Sequence, residues 1–177
     1  DIPGMVTRLL SRDEMRCDDA MTAIRAEGDA LRKVGTWDES TVIDRDKLLE
    51  RSQRTGETIH WGNLLTLCSV KFAERGREKL RYKGRICFRG DDVRDEYGAP
   101  AVFQELSSSP TTVQTTNANI AYGLLPDHDS TVADALRAYV QALLGTKYPT
   151  WVTIPKSLWL SHWHGKFKKP MCWLVKA

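Results

Sequence analysis

An α+β fold of antiparallel strands and packed helices is predicted by three stretches of this 177-residue sequence. The stretch "RCDDAMTAIRAEGDALRKVGTW" carries apolar residues at helical spacing and a glycine where the helix should stop. The stretch "WGNLLTLCSVKF" is apolar and bounded by turn-forming residues, as a strand would be. In "LRYKGRICFRG", Tyr82, Ile86 and Phe88 fall on one face of an alternating pattern, and Lys83, Arg85 and Arg89 fall on the other with Cys87 between them. The turn "ERGRE" separates the two strand-like stretches, which predicts an antiparallel hairpin.

The remaining elements follow in chain order. In the first helix, Asp18 or Asp19 supplies the N-cap, and Met21, Ile24, Leu31 and Val34 form the apolar stripe. Gly35 closes it in a left-handed conformation, and Gly28 weakens its interior. Residues 38–60 are highly charged, and the amphipathic run at 42–49 predicts a loop with a short helix. "SSSPTTVQTTNANIAYGLL" reads as a helix with Ser109 as N-cap, Pro110 at the first helical position and Gly123 near its end. "PDHDS" is a turn. "VADALRAYVQALL" is helix-prone and holds one acidic group, Asp134. "PTWVTIP" and "MCWLVKA" are strands, joined by the basic, aromatic segment "HWHGKFKKP". Residues 1–17 read as an N-terminal extension, and residues 18–177 as one domain. The chain opens on Asp1 and closes inside a strand-like segment, which we read as marks of a piece of something longer.

Bulk composition narrows the function classes. A hydrophobic content of 41% supports one packed core. A net charge of +3 allows a polyanionic partner without requiring one. Cys17, Cys68, Cys87 and Cys172 are scattered, with no Cys-x-x-Cys pair, which predicts reduced thiols in an intracellular protein, cytoplasmic or nuclear. No apolar run reaches the length of a membrane span.

Four groups of residues carry candidate chemistry. Three cations on one strand face form a comb with a spacing of about 7 Å, suited to phosphate oxygens; the alternative is a solvated sheet face. His162, His164 and Cys172 lack the fourth ligand and tight cysteine pair of a structural zinc site. Lys166, Lys168 and Lys169 lie beside Trp163 and Phe167, a composition that binds single-stranded nucleic acid or simply anchors a solvated loop. Asp91, Asp92, Asp95 and Glu96 lack calcium-loop spacing and read as a charged turn. Taken by itself, Asp134 is a helix cap, worth about 1 kcal/mol.

The order of the pieces changes the weight of Asp134. "EGDALRKVGTWD", "RYKGRICFRGDD", "GAPAVF", "VADALRAYVQALL", "TWVTIP" and "MCWLVKA" together resemble the reverse transcriptase domain of copia-type retrotransposons, most of all the divergent copies of dinoflagellates. The resemblance covers residues 18–177. "YKGRICFRG" matches the family's Tyr-Lys-Ala-Arg-Leu-Val-Ala-Lys-Gly, with Gly84 in place of the usual Ala. It implies that Lys83, Arg85 and Arg89 contact the triphosphate of an incoming nucleotide or the template. "DALRAYV" matches Asp-Val-Lys-Thr-Ala-Phe-Leu. It implies that Asp134 is a catalytic, Mg²⁺-binding carboxylate and that Tyr139 screens out the ribose 2′-hydroxyl. The family's Lys is Leu136 here, followed by Arg137.

The resemblance implies a partial right-hand polymerase, fingers plus the start of the palm, truncated before the Asp-Asp hairpin that supplies the other carboxylates. Asp134 would then end a central strand, "STVAD", and face Lys83, Arg85 and Arg89 across a cleft, so that its capping and metal roles share one position. The intact parent would take an RNA template, a DNA primer and deoxynucleotides, and join them by two-metal nucleotidyl transfer. One carboxylate cannot clamp two ions about 3.5–4 Å apart, so this chain alone is expected to be inactive. The alternatives are a non-catalytic nucleic-acid-binding remnant and a relic without function.

Overall fold

The structure is a computed structural model and describes residues 6–74, 76, 80–101, 111–131, 133 and 138–176. The chain divides into two compact units, one made of residues 1–101 and 139–177 and the other of residues 102–138. The fold is mixed α and β.

The larger unit is built on a six-stranded sheet. Its elements are β1 (Thr7–Leu9), α1 (Asp18–Val34), β2 (Trp37–Asp44), α2 (Arg45–Thr55), β3 (His60–Lys71), β4 (Arg81–Phe88), β5 (Thr150–Thr153) and β6 (Pro170–Leu174). Strand β3 is the spine. Its first residues, His60 to Asn63, pair in parallel with Thr150 to Thr153 of β5. From Leu64 onward it pairs antiparallel with β4, and at Ser69 to Lys71 also with β1. Strand β6 joins β5 to β2 by antiparallel ladders. The segment read as an N-terminal extension thus contributes a strand of the sheet.

Helix α1 behaves as its pattern predicts. Ala20, Ile24, Gly28 and Leu31 are its buried residues, and Gly35 ends it with φ of 73°. Its N-cap is Cys17, however; Asp18 and Asp19 lie inside the first turn, where carboxylates favour the positive end of the helix dipole. The helix packs on β4 at Gly84, where a methyl group would stand 2.5 Å from the Ala23 carbonyl oxygen. The glycine at this position is what lets the helix backbone lie directly on the strand.

Residues 38–60 correct the expectation of a loop. Trp37–Asp44 is strand β2, held by Trp37 opposite Leu174 and Asp44 opposite Pro170, with a register shift between Asp38 and Ile43. The charged side chains of "DES" hide its alternation. The expected short helix follows as α2.

Two apolar clusters hold the unit together. The larger joins α1 to β3, β5 and β6 through Ile24, Leu31, Cys68, Val152, Leu158, Trp163 and Cys172. The smaller lies under α2 and contains Leu48, Ile59, Trp61, Trp151 and Met171. Residues 61 and 68 differ by an odd number, so these clusters sit on opposite faces of β3. Helix α2 covers only the first part of its face.

In the smaller unit, α3 (Val113–Gly123) is capped by Thr112, whose side chain accepts from the Thr115 N–H. The predicted cap and first position, Ser109 and Pro110, lie outside the described residues. Tyr122 and His128 meet edge to face at 4.4 Å.

The segment "VADALRAYVQALL" departs from its predicted helix. Ala138–Val140 is a single 3₁₀ turn, and residues 141–144 are not helical. Of the predicted strand "STVAD", the described residues Ser130, Thr131 and Ala133 are exposed and not in a strand. No helix among the described residues is long and apolar enough to cross a membrane.

Candidate nucleic-acid interface

The β3–β4 ladder places Lys71 opposite Arg81, Ser69 opposite Lys83 and Leu67 opposite Arg85. Directly opposed residues of an antiparallel pair point to the same side. All four cations therefore share one face, and all four are exposed. The opposite face of β4 carries Tyr82, Gly84, Ile86 and Phe88, buried or half-buried against α1. The period-two reading of this strand holds from Tyr82 to Phe88 and fails at Arg89, which lies past the strand.

The four cations are exposed, and α2 packs toward the other end of β3, at Trp61. None of Lys71, Arg81, Lys83 and Arg85 forms an ion pair or side-chain hydrogen bond with another described residue. Lys71 and Arg81 repel each other across the ladder, an arrangement that costs stability unless an anion relieves it. The strand spacing of about 4.8 Å and the repeat of about 7 Å along β4 make a two-dimensional lattice of positive charge. Beside it lie Leu9 and Leu65, 59% and 41% exposed. This surface can take anionic oxygens at several points and apolar parts of a ligand next to them.

Arg89 is placed differently from its two sequence companions. It lies one residue past β4, half-buried, and its guanidinium donates to Asp91 at 2.8 and 3.3 Å. That hydrogen bond holds the Asp91 carboxyl below the usual carboxylate range and pushes Arg89 further up. The acidic cluster is a charged turn, as its spacing predicts. Asp92 pairs with Arg94 at 3.1 Å, Asp95 accepts from the N–H groups of Tyr97 and Ala99, and Glu96 accepts from the Ile59 N–H.

The lysine-rich segment has its rings committed. Trp163 is 1% exposed in the main core, and Phe167 packs edge-on against it at 6.2 Å. Lys166 and Lys168 are exposed, while the backbone N–H groups of Lys168 and Lys169 are held by the Asp44 carboxylate. Trp163 is closed to base stacking, and half-buried Phe167 anchors the segment beside it.

Asp134 and Arg137 lie outside the described residues, as does the side chain of Tyr139, whose backbone belongs to the 3₁₀ turn Ala138–Val140. Among the described residues, no three His, Cys, Asp or Glu side chains come together as a metal cradle. Lys71 and Arg81 are the functional candidates that sequence reasoning missed. Arg81 was visible as the next outward position of β4. Lys71 joins it only through the hairpin register.

Comparisons with protein-family models, with curated proteins and with solved structures returned no match.

Proposed function

We propose that the chain binds nucleic acid through the outward face of β3 and β4, with Lys71, Arg81, Lys83 and Arg85 neutralising backbone phosphates. The single observation that carries this reading is the cross-strand lattice of four exposed cations that no described carboxylate neutralises. Such a face binds through charge and counterion release, with little base readout. The resemblance to the fingers of a copia-type reverse transcriptase supports the same assignment, since that strand meets nucleotide or template phosphates there.

The polymerase roles of Asp134 and Tyr139 rest on that resemblance alone. In a complete polymerase of that family, Mg²⁺ would activate the primer hydroxyl and neutralise charge on the departing pyrophosphate. For this chain the proposed activity is binding, with orientation of phosphate by the arginines, which grip two oxygens at once.

The experiment is fluorescence anisotropy with a labelled single-stranded RNA and a DNA duplex over a range of salt. The expected result is binding at low salt that Asp134→Ala leaves intact and the double change Lys83→Ala, Arg85→Ala weakens. Absence of binding at low salt, or binding indifferent to the double change, overturns the proposal. Primer extension on an RNA template with Mg²⁺ or Mn²⁺ tests the polymerase reading separately, and Asp134-dependent extension would show that this chain is catalytic after all.

A further inference from the structure

On the α1 side of the sheet, away from the cationic face, an open cavity of about 360 Å³ lies within the larger unit. Trp37, Leu64, Ile86, Phe88 and Val140 form its apolar walls, and Thr36 and Lys176 supply polar groups. The size suits a small ligand of about a dozen non-hydrogen atoms.

Its polar groups are unusually placed. Thr36 is 5% exposed, and its hydroxyl oxygen, Oγ1, has no hydrogen-bond partner among the described residues. That oxygen is closed to solvent and so to a ligand as well, which leaves Lys176 as the polar side chain that can serve one. Lys176 stands beside it: the Thr36 carbonyl accepts from the N–H groups of both Val175 and Lys176, at 2.9 and 3.0 Å. The Lys176 ammonium donates to the Val34 carbonyl at 2.8 Å, and no described carboxylate pairs with it. An ammonium has three donors, so two remain for a ligand. Glu39, which accepts from the Trp37 indole N–H, is itself paired with Arg32 at 2.6 Å.

We infer that this cavity is a binding site for a small amphipathic anion, with an apolar body against Trp37, Leu64 and Phe88 and its carboxylate held by Lys176. Charge complementarity selects the anion over a neutral or cationic occupant of the same shape. The site is separate from the phosphate-binding face, because Leu64, Ile86 and Phe88 belong to the opposite side of β3 and β4 and none of the four cations lines it.

Decanoate, decanol and decylamine, matched in chain length, test it by titration calorimetry and by the intrinsic fluorescence of the six tryptophans, of which Trp37 lines the cavity. Decanoate should bind saturably below its micelle-forming concentration, and about tenfold tighter than decanol, as the loss of one charged contact of about 1.4 kcal/mol implies. Lys176→Met should erase that preference, and Lys176→Arg should keep it. Gly90→Trp should block the cavity: Gly90 lines it, and a side chain there meets nothing within 4 Å of its first carbon. An unchanged thermal midpoint for Gly90→Trp separates blocking from misfolding. Decylamine binding as tightly as decanoate, no saturable decanoate binding, or binding unaffected by Gly90→Trp overturns the inference.

Discussion

Gly84 of β4 lies so close to Ala23 of α1 that a side-chain carbon on the glycine would stand 2.5 Å from the Ala23 carbonyl oxygen. The obstacle is backbone, which cannot rotate away. Gly84→Ala should therefore destabilise the protein by about 1–3 kcal/mol, the usual cost of overpacking. Chemical denaturation measures this, and an unchanged midpoint would show that the helix stands farther off.

Gly28 and Leu158 should behave as a coupled pair. A methyl at Gly28 would lie 2.6 Å from Leu158 Cδ2, and Leu158 is 2% exposed. Leu158→Ala alone should cost about 2–5 kcal/mol. Gly28→Ala gains about 1 kcal/mol of helix propensity and loses it to the clash. In the double variant the clash is gone, so a double-mutant cycle should show about 1 kcal/mol or more of favourable coupling. Strict additivity would mean that Leu158 moves aside freely.

The opposition of Lys71 and Arg81 separates stability from binding. Arg81→Ala should leave the protein as stable or up to about 1 kcal/mol more stable, because it removes a like-charge cross-strand pair. The same change should weaken nucleic-acid binding. With four phosphates neutralised, the logarithm of the binding constant should fall with the logarithm of salt at a slope of about −3, and each alanine should reduce that slope by about one. Calorimetric melting and salt-dependent anisotropy read the two effects independently.

Thiol chemistry should divide the four cysteines. Cys17 and Cys87 are exposed, whereas Cys68 and Cys172 are buried. Burial pushes the Cys172 thiol up to about 12 and raises Cys68 as well. A disulfide reagent at neutral pH should modify Cys17 and Cys87 rapidly, and the other two only on unfolding; mass spectrometry decides. The pH dependence follows in sign. Above pH about 9 the unfolded thiol ionises while folded Cys172 keeps its proton, so stability should fall from about pH 9 toward 12. The loss per thiol is at most about 1.4 kcal/mol per pH unit. A Cys172→Ala variant should show a shallower decline in alkaline urea melts.

By itself the sequence determined what local periodicity encodes. The body of α1 and its stop at Gly35 follow from helical spacing and a glycine. The faces of β4 follow from alternation, and β3, β5 and β6 from short apolar runs between turn residues. The lattice of cations was half legible, since Lys83 and Arg85 alternate within one strand. Tertiary structure alone decided the rest. Strand β2 exists because β6, more than a hundred residues away, supplies its ladder to a charged segment with poor alternation of its own. Lys71 joins Arg81 only once the hairpin register is set. Arg89 leaves the comb because Asp91 captures it past the strand's end. Residues 138–144 carry helix-forming side chains yet run as a 3₁₀ turn and coil, docking Val140 and Leu144 onto the main core. In each case a contact distant in sequence outweighs a propensity worth a few tenths of a kcal/mol per residue.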